Sequence, residues 1–391
     1  MRALVNHLFV SYPDYKLDHL RPESCKHKII TTELQKIVAG SNGLFTLEEA
    51  GRSLEGRSIP LLMCGKGPTR ILFWSQMHGD ESTATLALMD IFYFLSTNRG
   101  FDDLLARTLL FFIPMLNPDG AERMQRHSAT GIDMNRDARR LSTPEAGILR
   151  RVHRRLKPEF GFNLHDQELS SVGATPAVTA IALLAPAAHE KRNISPARTR
   201  AKRVAALIAR SLFPFAAGHV ATYDDSYEPR AFGDNMQAWG TSTVLIESGH
   251  WPNDPEKKFI RRLNYVALLT AIHGIATKSY RKVRMEYYTG LKKNGKRIYD
   301  IIAHGVTMHH VSGWSGRVDI GLTIDPRLNR NNTVKPKELP LVRVKEIGDL
   351  SGFGALREID CRGGSFDSGK IVPEQVLLLK ELFDIMHIRT Q

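Results

Sequence analysis

Short apolar runs alternate with longer segments of helical character through the first two thirds of the chain. We interpret six short apolar runs as buried strands: 59–64, 70–75, 108–116, 159–164, 177–184 and 242–247. Five other segments are interpreted as helices: 32–38, 81–96, 143–157, 195–212 and 256–276. Apolar strands that alternate with helices predict an α/β domain with a mixed, largely parallel central sheet and helices on both faces.

The pattern changes after about residue 278. Short stretches of alternating polarity, many Gly and Pro residues, and turns such as Lys293-Asn-Gly295 follow. We therefore predict a smaller β-rich C-terminal domain at 281–391, with the boundary near residue 280 and a closing helix at 373–387.

Composition excludes several classes of protein. Hydrophobic residues make up 42% of the chain, which is ordinary for a globular protein, and no apolar run is long enough for a membrane span. The three cysteines lie far apart and form no CxxC pair, which together with the absence of a recognisable signal peptide favours a cytoplasmic location.

The net charge of +13 attracts anions, but the basic residues are spread out. Since the densest basic run, 149–157, reads as one face of a helix, we expect no specific nucleic-acid binding.

A histidine and a glutamate stand three residues apart where a buried strand ends and a helix begins. These are His78 and Glu81, and loops at the carboxyl ends of strands are where sites form in open α/β sheets. Imidazole and carboxylate groups at this spacing suit a zinc ion. The alternative is that Glu81 caps the helix and His78 is an ordinary loop residue.

Further polar residues follow other predicted strands. The turn Asn117-Pro-Asp-Gly120 is followed by Arg123 and Arg126, and then by Asn135 and Arg136. Arginine presents a planar fork that matches a carboxylate, so this group suits a carboxylate ligand, although a surface ion pair explains it as well.

Two acid–base side chains stand at strand ends farther along the chain. His165 ends one apolar run and Glu247 ends another. A glutamate in an apolar run is costly to bury unless it is paired or functional.

Taken in order, these motifs resemble the zinc carboxypeptidase family, the group that includes carboxypeptidase A. The matching pieces are HxxE, NPDG, an arginine, DxNRD, a strand-end histidine and a strand-end glutamate, preceded by an entry segment at 51–57. The resemblance covers about residues 45–275. It implies that 1–280 is the catalytic domain and leaves 281–391 without a role.

The resemblance also implies roles for individual residues. His78, Glu81 and His165 match the ligands of one zinc ion, and Glu247 matches the general base. Asn135 and Arg136 match the clamp for the terminal carboxylate of the substrate. Arg126 matches the arginine that polarises the scissile carbonyl, with Arg123 as the alternative.

Two further positions of the family fall in the segment before Glu247. Its mobile tyrosine corresponds to Tyr227 or to Tyr223, and its specificity pocket to a region that includes Phe232 and Asp234. If Asp234 points into that pocket, a basic or diamino side chain is favoured. Asp166, next to His165, is a candidate for orienting the zinc ligands from outside, or a solvated loop residue.

The sequence thus predicts a zinc-dependent metallocarboxypeptidase. The expected substrate is a peptide or peptide-like amide with a free carboxylate, cleaved by a zinc-activated water with Glu247 as the base. One alternative is a zinc amidase or deacylase that uses the same site on muropeptides or N-acyl amino acids. A non-catalytic binding protein is the other alternative, and the presence of all three ligands and the base argues against it.

Overall fold

The computed structural model describes residues 1–324 and 341–387, and contacts divide the chain into two units. The first unit consists of Met1–Glu168, Ala180–His250 and Glu256–Asn294. The second consists of Leu169–Thr179, Trp251–Pro255 and the described residues from Gly295 onward. The last crossing of the chain from the first unit to the second follows Asn294. The sequence pattern suggests a domain boundary earlier, near residue 280, and that domain boundary stays a prediction.

The described residues form the following helices and strands. The helices are α1 (Arg2–Tyr15), α2 (His27–Gly40), α3 (Thr83–Thr97), α4 (Asp102–Leu105), α5 (Pro118–Glu122), α6 (Pro144–Leu156), α7 (Pro196–Ala216), α8 (Phe232–Ala238), α9 (Lys258–Ala276), α10 (Glu286–Thr289) and α11 (Leu379–Ile385). The strands are β1 (Phe45–Arg52), β2 (Ser58–Gly65), β3 (Thr69–Ser75), β4 (Thr108–Ile113), β5 (Phe160–Asp166), β6 (Ser171–Val172), β7 (Ile181–Leu184), β8 (Val220–Thr222), β9 (Ser242–Ser248), β10 (Asn294–Gly295), β11 (Ile298–His309), β12 (Ser315–Ile324), β13 (Leu341–Gly348), β14 (Gly354–Asp360), β15 (Ser365–Asp367) and β16 (Val376–Leu378).

An eight-stranded mixed sheet forms the centre of the first unit, in the order β1-β2-β4-β3-β5-β9-β7-β8. The four central strands β4, β3, β5 and β9 are parallel to one another, whereas β1, β2 and β7 pair antiparallel to their inner neighbours. The prediction of a largely parallel α/β sheet is confirmed.

Both faces of this sheet are apolar, which is why helices cover it on both sides. On one face, Phe73 stacks between its strand neighbours Phe112 and Phe162, with ring centroids 4.7 Å apart in each pair, and Phe92 of α3 packs on Phe112. The side chains of the opposite face cluster with residues of α6 and α8. Successive strand residues point to opposite faces, so a run apolar at every position requires cover on both.

Several helix boundaries differ from the sequence-based expectation, and those of α3 and α2 bear on the site and on the fold. The helix expected to start at residue 81 begins at Thr83, because the chain first makes a turn in which the amide of Glu81 donates to the carbonyl of His78 at 3.1 Å. The helix expected at 32–38 is α2, which is longer at both ends. Glu81 is therefore a loop residue and does not cap a helix through its side chain.

The second unit contains the β-rich sheet that the sequence predicts. Its described strands are ordered β14-β11-β12-β13-β16, and β15 also pairs with β11. The prediction of a closing helix at 373–387 is wrong over the first part of that range. Val376–Leu378 pair antiparallel with β13, so α11 is confined to Leu379–Ile385, and its Leu379 and Leu382 lie in the core of this unit.

Candidate active site

The central sheet brings the carboxyl ends of three strands to one edge. β3, β5 and β9 are parallel neighbours, so the loop after β3, which carries His78 and Glu81, opens beside the ends of the other two. His165 of β5 and Glu247 of β9 are direct partners in the strand register. Side chains that are far apart in sequence are therefore close together in the fold.

His78, Glu81 and His165 form a buried group whose ligand atoms all lie within 4.8 Å of one another. The two carboxylate oxygens of Glu81 face one ring each. Oε1 lies 2.5 Å from His78 Nδ1, and Oε2 lies 2.7 Å from His165 Nδ1. Two imidazole nitrogens and a carboxylate that converge in this way are the donor set that zinc prefers in proteins.

Asp133 holds the outer side of His78. His78 Nε2 lies 3.0 Å from Asp133 Oδ1, and we assign the proton to Nε2 because the carboxylate can only accept. Because nearby carboxylates raise the pKa of His78 to about 9, Nδ1 also carries a proton, directed at Glu81, and a cation that binds there would take the place of that proton. A carboxylate behind a metal-binding histidine is the arrangement that orients the ring and increases its basicity, so the residues present fit a zinc ion.

The charges around His78 follow from the same geometry. Burial disfavours a charged imidazole, but Glu81 and Asp133 outweigh it and raise the pKa of His78 to about 9. Burial also opposes the ionisation of Asp133, yet His78 and Arg126 hold the pKa of that carboxyl well below its usual range. Two carboxylates that favour a positive charge at this point also favour a bound cation.

Arg126 extends into this group, whereas Arg123 does not. Arg126 Nη1 donates to Glu81 Oε1 at 3.3 Å, and its Nε and Nη2 donate to Asp133 Oδ2 at 3.2 and 3.0 Å. Arg123 pairs with Glu55 and with the carbonyl of Asp119. Of the two arginines that the sequence offers, Arg126 is the one beside the candidate zinc ligands.

Glu247 is buried, and its Oε2 has no hydrogen-bond partner among the described residues. Burial first, and then the nearby charge of Glu81, raise the pKa of this carboxyl well above its usual value. An unpaired buried carboxyl costs stability, so its presence in a core suggests a functional role, and a raised pKa is typical of carboxylates that exchange protons in a reaction.

Asp166 acts on Glu81 and not on His165. Its backbone N–H donates to Glu81 Oε2 at 3.2 Å. Its side chain accepts hydrogen bonds from Thr83 Oγ1 at 2.5 Å and from Lys257 Nζ at 3.1 Å. The partly buried Asp166, whose side chain is 12% exposed, is thus no solvated loop residue, and Lys257 supplies its counter-charge.

The predicted carboxylate clamp lies on a short 3₁₀ turn, Met134–Arg136, next to Asp133. Asn135 Oδ1 accepts from the backbone N–H of Phe232 at 3.0 Å, which ties the turn to the start of α8. The side chain of Arg136 is 41% exposed, donates to the carbonyl of Asn135 at 2.9 Å and approaches Glu228 Oε2 at 3.5 Å. It therefore stays accessible to a ligand.

The segment before α8 contains both candidate tyrosines. Burial, followed by the charges of Glu247 and Glu81, raises the pKa of Tyr223 to about 12, so its phenol lies within the field of the site carboxylates. Tyr227 is half-buried in the same segment. The influence of these two carboxylates favours Tyr223 over Tyr227 as the candidate.

The two candidate pocket residues, Phe232 and Asp234, lie in α8. Phe232 is fully buried in the core on one face of the sheet, together with Met134. Asp234 is also buried and accepts from the backbone N–H of Glu228 at 3.4 Å, and burial raises its pKa to about 7. A carboxyl with so few partners suits a cationic group brought by a ligand.

Asp133 and Lys257 are site residues that the sequence did not reveal. Asp133 is the first residue of the DxNRD motif, so its position in the motif could have identified it as a candidate. Lys257 lies ninety-one residues from Asp166 and follows no motif, so only the fold brings the two together.

Comparisons with known proteins bear on this arrangement. The profile of the zinc carboxypeptidase family matches residues 30–155. Carboxypeptidase 2 of Trichophyton rubrum is 26% identical over 141 residues, a match that covers 33% of this chain and 26% of that protein. Carboxypeptidase 2 of Trichophyton equinum matches to the same extent. The chain thus spans about a quarter of the length of these curated relatives.

Solved structures support the same fold. Bovine thrombin-activatable fibrinolysis inhibitor, solved in complex with tick carboxypeptidase inhibitor, has a TM-score of 0.52 at 14% identity and covers 65% of this chain and 97% of its own. Carboxypeptidase A of Helicoverpa armigera has a TM-score of 0.50 at 15% identity and covers 67% of this chain and 75% of its own. At these identities the likeness concerns the fold alone. No helix in the described part of the chain combines the length and the apolar character that crossing a bilayer requires.

Proposed function

We propose that this chain, which belongs to the zinc carboxypeptidase family, hydrolyses a peptide or peptide-like amide bond next to a free carboxylate. One observation supports the proposal most strongly. The buried His78, Glu81 and His165 converge at the ends of parallel strands. Glu247, whose Oε2 has no hydrogen-bond partner in the described part of the chain, is the strand-register partner of His165.

His78, Glu81 and His165 would hold one zinc ion. When bound, that ion supplies Lewis acidity to the substrate carbonyl and lowers the pKa of water. Asp133 keeps the ring of His78 in the tautomer that presents Nδ1, and the backbone N–H of Asp166 fixes Glu81.

Glu247 acts as the general base in this proposal. It takes a proton from the attacking water and delivers it to the departing amine. Its burial and its position next to His165 support that role, because a desolvated carboxyl with a raised pKa holds a proton readily between the two steps.

The remaining polar residues bind and orient the substrate. Arg126 stabilises the negative charge that develops on the carbonyl oxygen, with the second half of its guanidinium anchored on Asp133. Asn135 and the accessible Arg136 bind the free carboxylate. Tyr223 contacts the substrate in preference to Tyr227, and Asp234 selects a basic or diamino side chain.

Mass spectrometry of products tests the proposal. The purified protein is incubated with zinc and a panel of peptides that differ in their C-terminal residue, with muropeptide fragments and N-acyl amino acids alongside. We expect loss of a single C-terminal residue, with basic residues preferred, and no turnover by the Glu247→Gln variant although it still binds zinc.

Other outcomes point elsewhere. Cleavage confined to muropeptides or N-acyl amino acids would assign the site to an amidase or deacylase. Activity retained in Glu247→Gln would contradict the role of the base, and no cleavage of any substrate by the zinc-loaded protein would favour a binding function. An unchanged preference in Asp234→Ala would separate Asp234 from specificity.

A further inference from the structure

A second cleft lies at the opposite edge of the central sheet from the candidate active site. It has a volume of about 670 Å³, and its lining includes Pro158 and Glu159, which precede β5, and Thr241, which precedes β9. Both strands run from this cleft toward His165 and Glu247. Six residues of extended strand separate Glu159 from His165, which corresponds to about 20 Å. The cleft is therefore distinct from the site described above.

Four basic side chains line the cleft, against the single acid Glu159. They are Arg150, Arg154, Lys157 and Arg200. Within the part of the chain that the structure describes, none of the four pairs with a carboxylate at ion-pair distance. The cleft consequently concentrates positive charge with little compensation.

The two partly buried arginines of the cleft are held by neutral groups. Arg150 Nη1 donates to His153 Nδ1 at 3.2 Å, and its guanidinium lies 3.6 Å from the centre of the Trp239 ring. Arg200 Nε donates to Ser242 Oγ at 2.9 Å. These contacts orient both guanidinium groups without neutralising them, so their remaining N–H groups are available to a ligand.

The arginines elsewhere in the interior of this unit show the contrast. Arg261 is paired with the buried Asp90, and Arg198 with Asp225. In the cleft, burial and the charge of Arg154 instead lower the pKa of Arg150, and burial and Arg150 lower the pKa of His153 to about 4. An anion would relieve this unfavourable concentration of positive charge.

We propose that this basic cleft binds a small anion that carries one or more phosphate groups. Guanidinium forks match phosphate oxygens bidentately, and the flexible ammonium of Lys157 adds a point charge at the rim. The volume is in the range of small-molecule sites and exceeds what a single phosphate needs. Trp239 offers an aromatic surface in the same cleft.

Calorimetric titration of the full chain tests this proposal with four probes: inorganic phosphate, tripolyphosphate, ATP and citrate. We expect tripolyphosphate or ATP to bind with a dissociation constant that rises at least tenfold in the Arg154→Gln/Lys157→Gln variant. Both residues are exposed, so the fold is expected to persist, and a thermal melt verifies it. Tighter binding of ATP than of tripolyphosphate identifies a nucleotide, and equal binding identifies the phosphate chain itself.

The matched control removes two exposed lysines from α2, in the variant Lys28→Ala/Lys36→Ala. It should leave the dissociation constant unchanged. Equal weakening in both variants would show attraction to the net charge alone and would overturn the proposal, as would citrate binding as tightly as tripolyphosphate or no binding at millimolar probe. A change in tryptophan fluorescence that disappears in Trp239→Phe places the ligand in the cleft.

Discussion

Asp133 contacts three of the candidate site residues at once, namely His78, Arg126 and the backbone of Asn135. In Asp133→Asn the charge that orients His78 is removed while the side-chain volume is kept. We expect zinc affinity to fall roughly 10- to 100-fold, measured by competition with a chromophoric chelator. Asp103→Asn, an exposed change in α4, is the control. Equal affinities in the two variants would argue against the role of Asp133.

The pair of Asp166 and Lys257 allows a second test at the scale of residues. Both side chains are mostly buried, with exposed fractions of 12% and 17%. In Lys257→Met, Asp166 keeps Thr83 as a partner but loses its counter-charge, and we expect the free energy of unfolding to fall by about 3 kcal/mol. The Asp166→Asn/Lys257→Met variant should recover most of that loss in chemical denaturation. A double variant as unstable as the single one would contradict the pairing.

The sequence identified some of the candidate site residues and missed others, because only some of them stand in a recognisable local pattern. His165 and Glu247 stand at the ends of apolar strands, and His78 and Glu81 lie in the loop after another, so the pattern of the chain draws attention to them. Their roles as zinc ligands and base came from the resemblance to the zinc carboxypeptidase family and stay predictions. The choice of Arg126 over Arg123 depends on which carboxylate each one meets, and that is decided by tertiary contacts. The same holds for Lys257, whose partner Asp166 is the last residue of β5.

At the scale of elements, helix α6 contains a buried histidine whose neutrality supports the fold. His153 accepts from Arg150 and contacts Thr241 Oγ1 at 3.0 Å, and its pKa is lowered to about 4. The unfolded chain takes up a proton at this residue below about pH 6.5. This contribution to stability is therefore complete above about pH 6.5 and is lost as the pH falls toward 4, by about 3 kcal/mol at most.

Chemical denaturation of the wild type and of His153→Gln between pH 4 and 7.5 measures this contribution. The difference in unfolding free energy between the two proteins should narrow as the pH falls through that window. A difference that is constant with pH would show that His153 stabilises α6 by packing alone.

Helices α1, α3 and α9 meet at a second buried ion pair, which also binds residues near the N-terminus. Arg261 of α9 binds Asp90 of α3, and its Nη1 donates to the carbonyl of Leu20 at 2.7 Å. Tyr12 of α1 donates to Asp90 Oδ2 at 2.9 Å. In Arg261→Met we expect a loss of about 3–5 kcal/mol and faster hydrogen exchange in residues 1–20. Lys258→Ala, an exposed change on the same helix, should leave that exchange unaltered.

Sequence patterns predicted helices and strands correctly where the apolar run is continuous. They failed where hydrogen bonding to a neighbouring strand determines whether a segment is a strand or a helix. The buried strands of the central sheet were predictable because helices cover both faces of the sheet, which makes each strand a continuous apolar run in the sequence. The segment at 376–378 was expected to be helical, and it is a strand because β13 offers it an antiparallel partner. Helix α1 was not expected, since its apolar positions are interrupted by polar residues.

At the scale of the whole molecule, the net charge of +13 bears on substrate encounter. A positively charged protein attracts acidic peptides over distances that salt screens. If the proposed activity holds, kcat/KM for an acidic peptide should fall severalfold between about 0.05 M and about 0.5 M salt, with a neutral peptide of the same C-terminal residue nearly unaffected. Equal salt dependence for both peptides would assign the effect to stability or to metal binding.

The register that joins His165 to Glu247 has a consequence for how this protein can change over evolutionary time. Their spacing is imposed by the hydrogen bonds between two parallel strands about 4.8 Å apart. Gain or loss of one residue inside β5 or β9 would turn one of the two side chains to the opposite face, with composition almost unaltered. Variation in length is thus excluded from these strands and confined to the loops, where it can alter the substrate without touching the reaction.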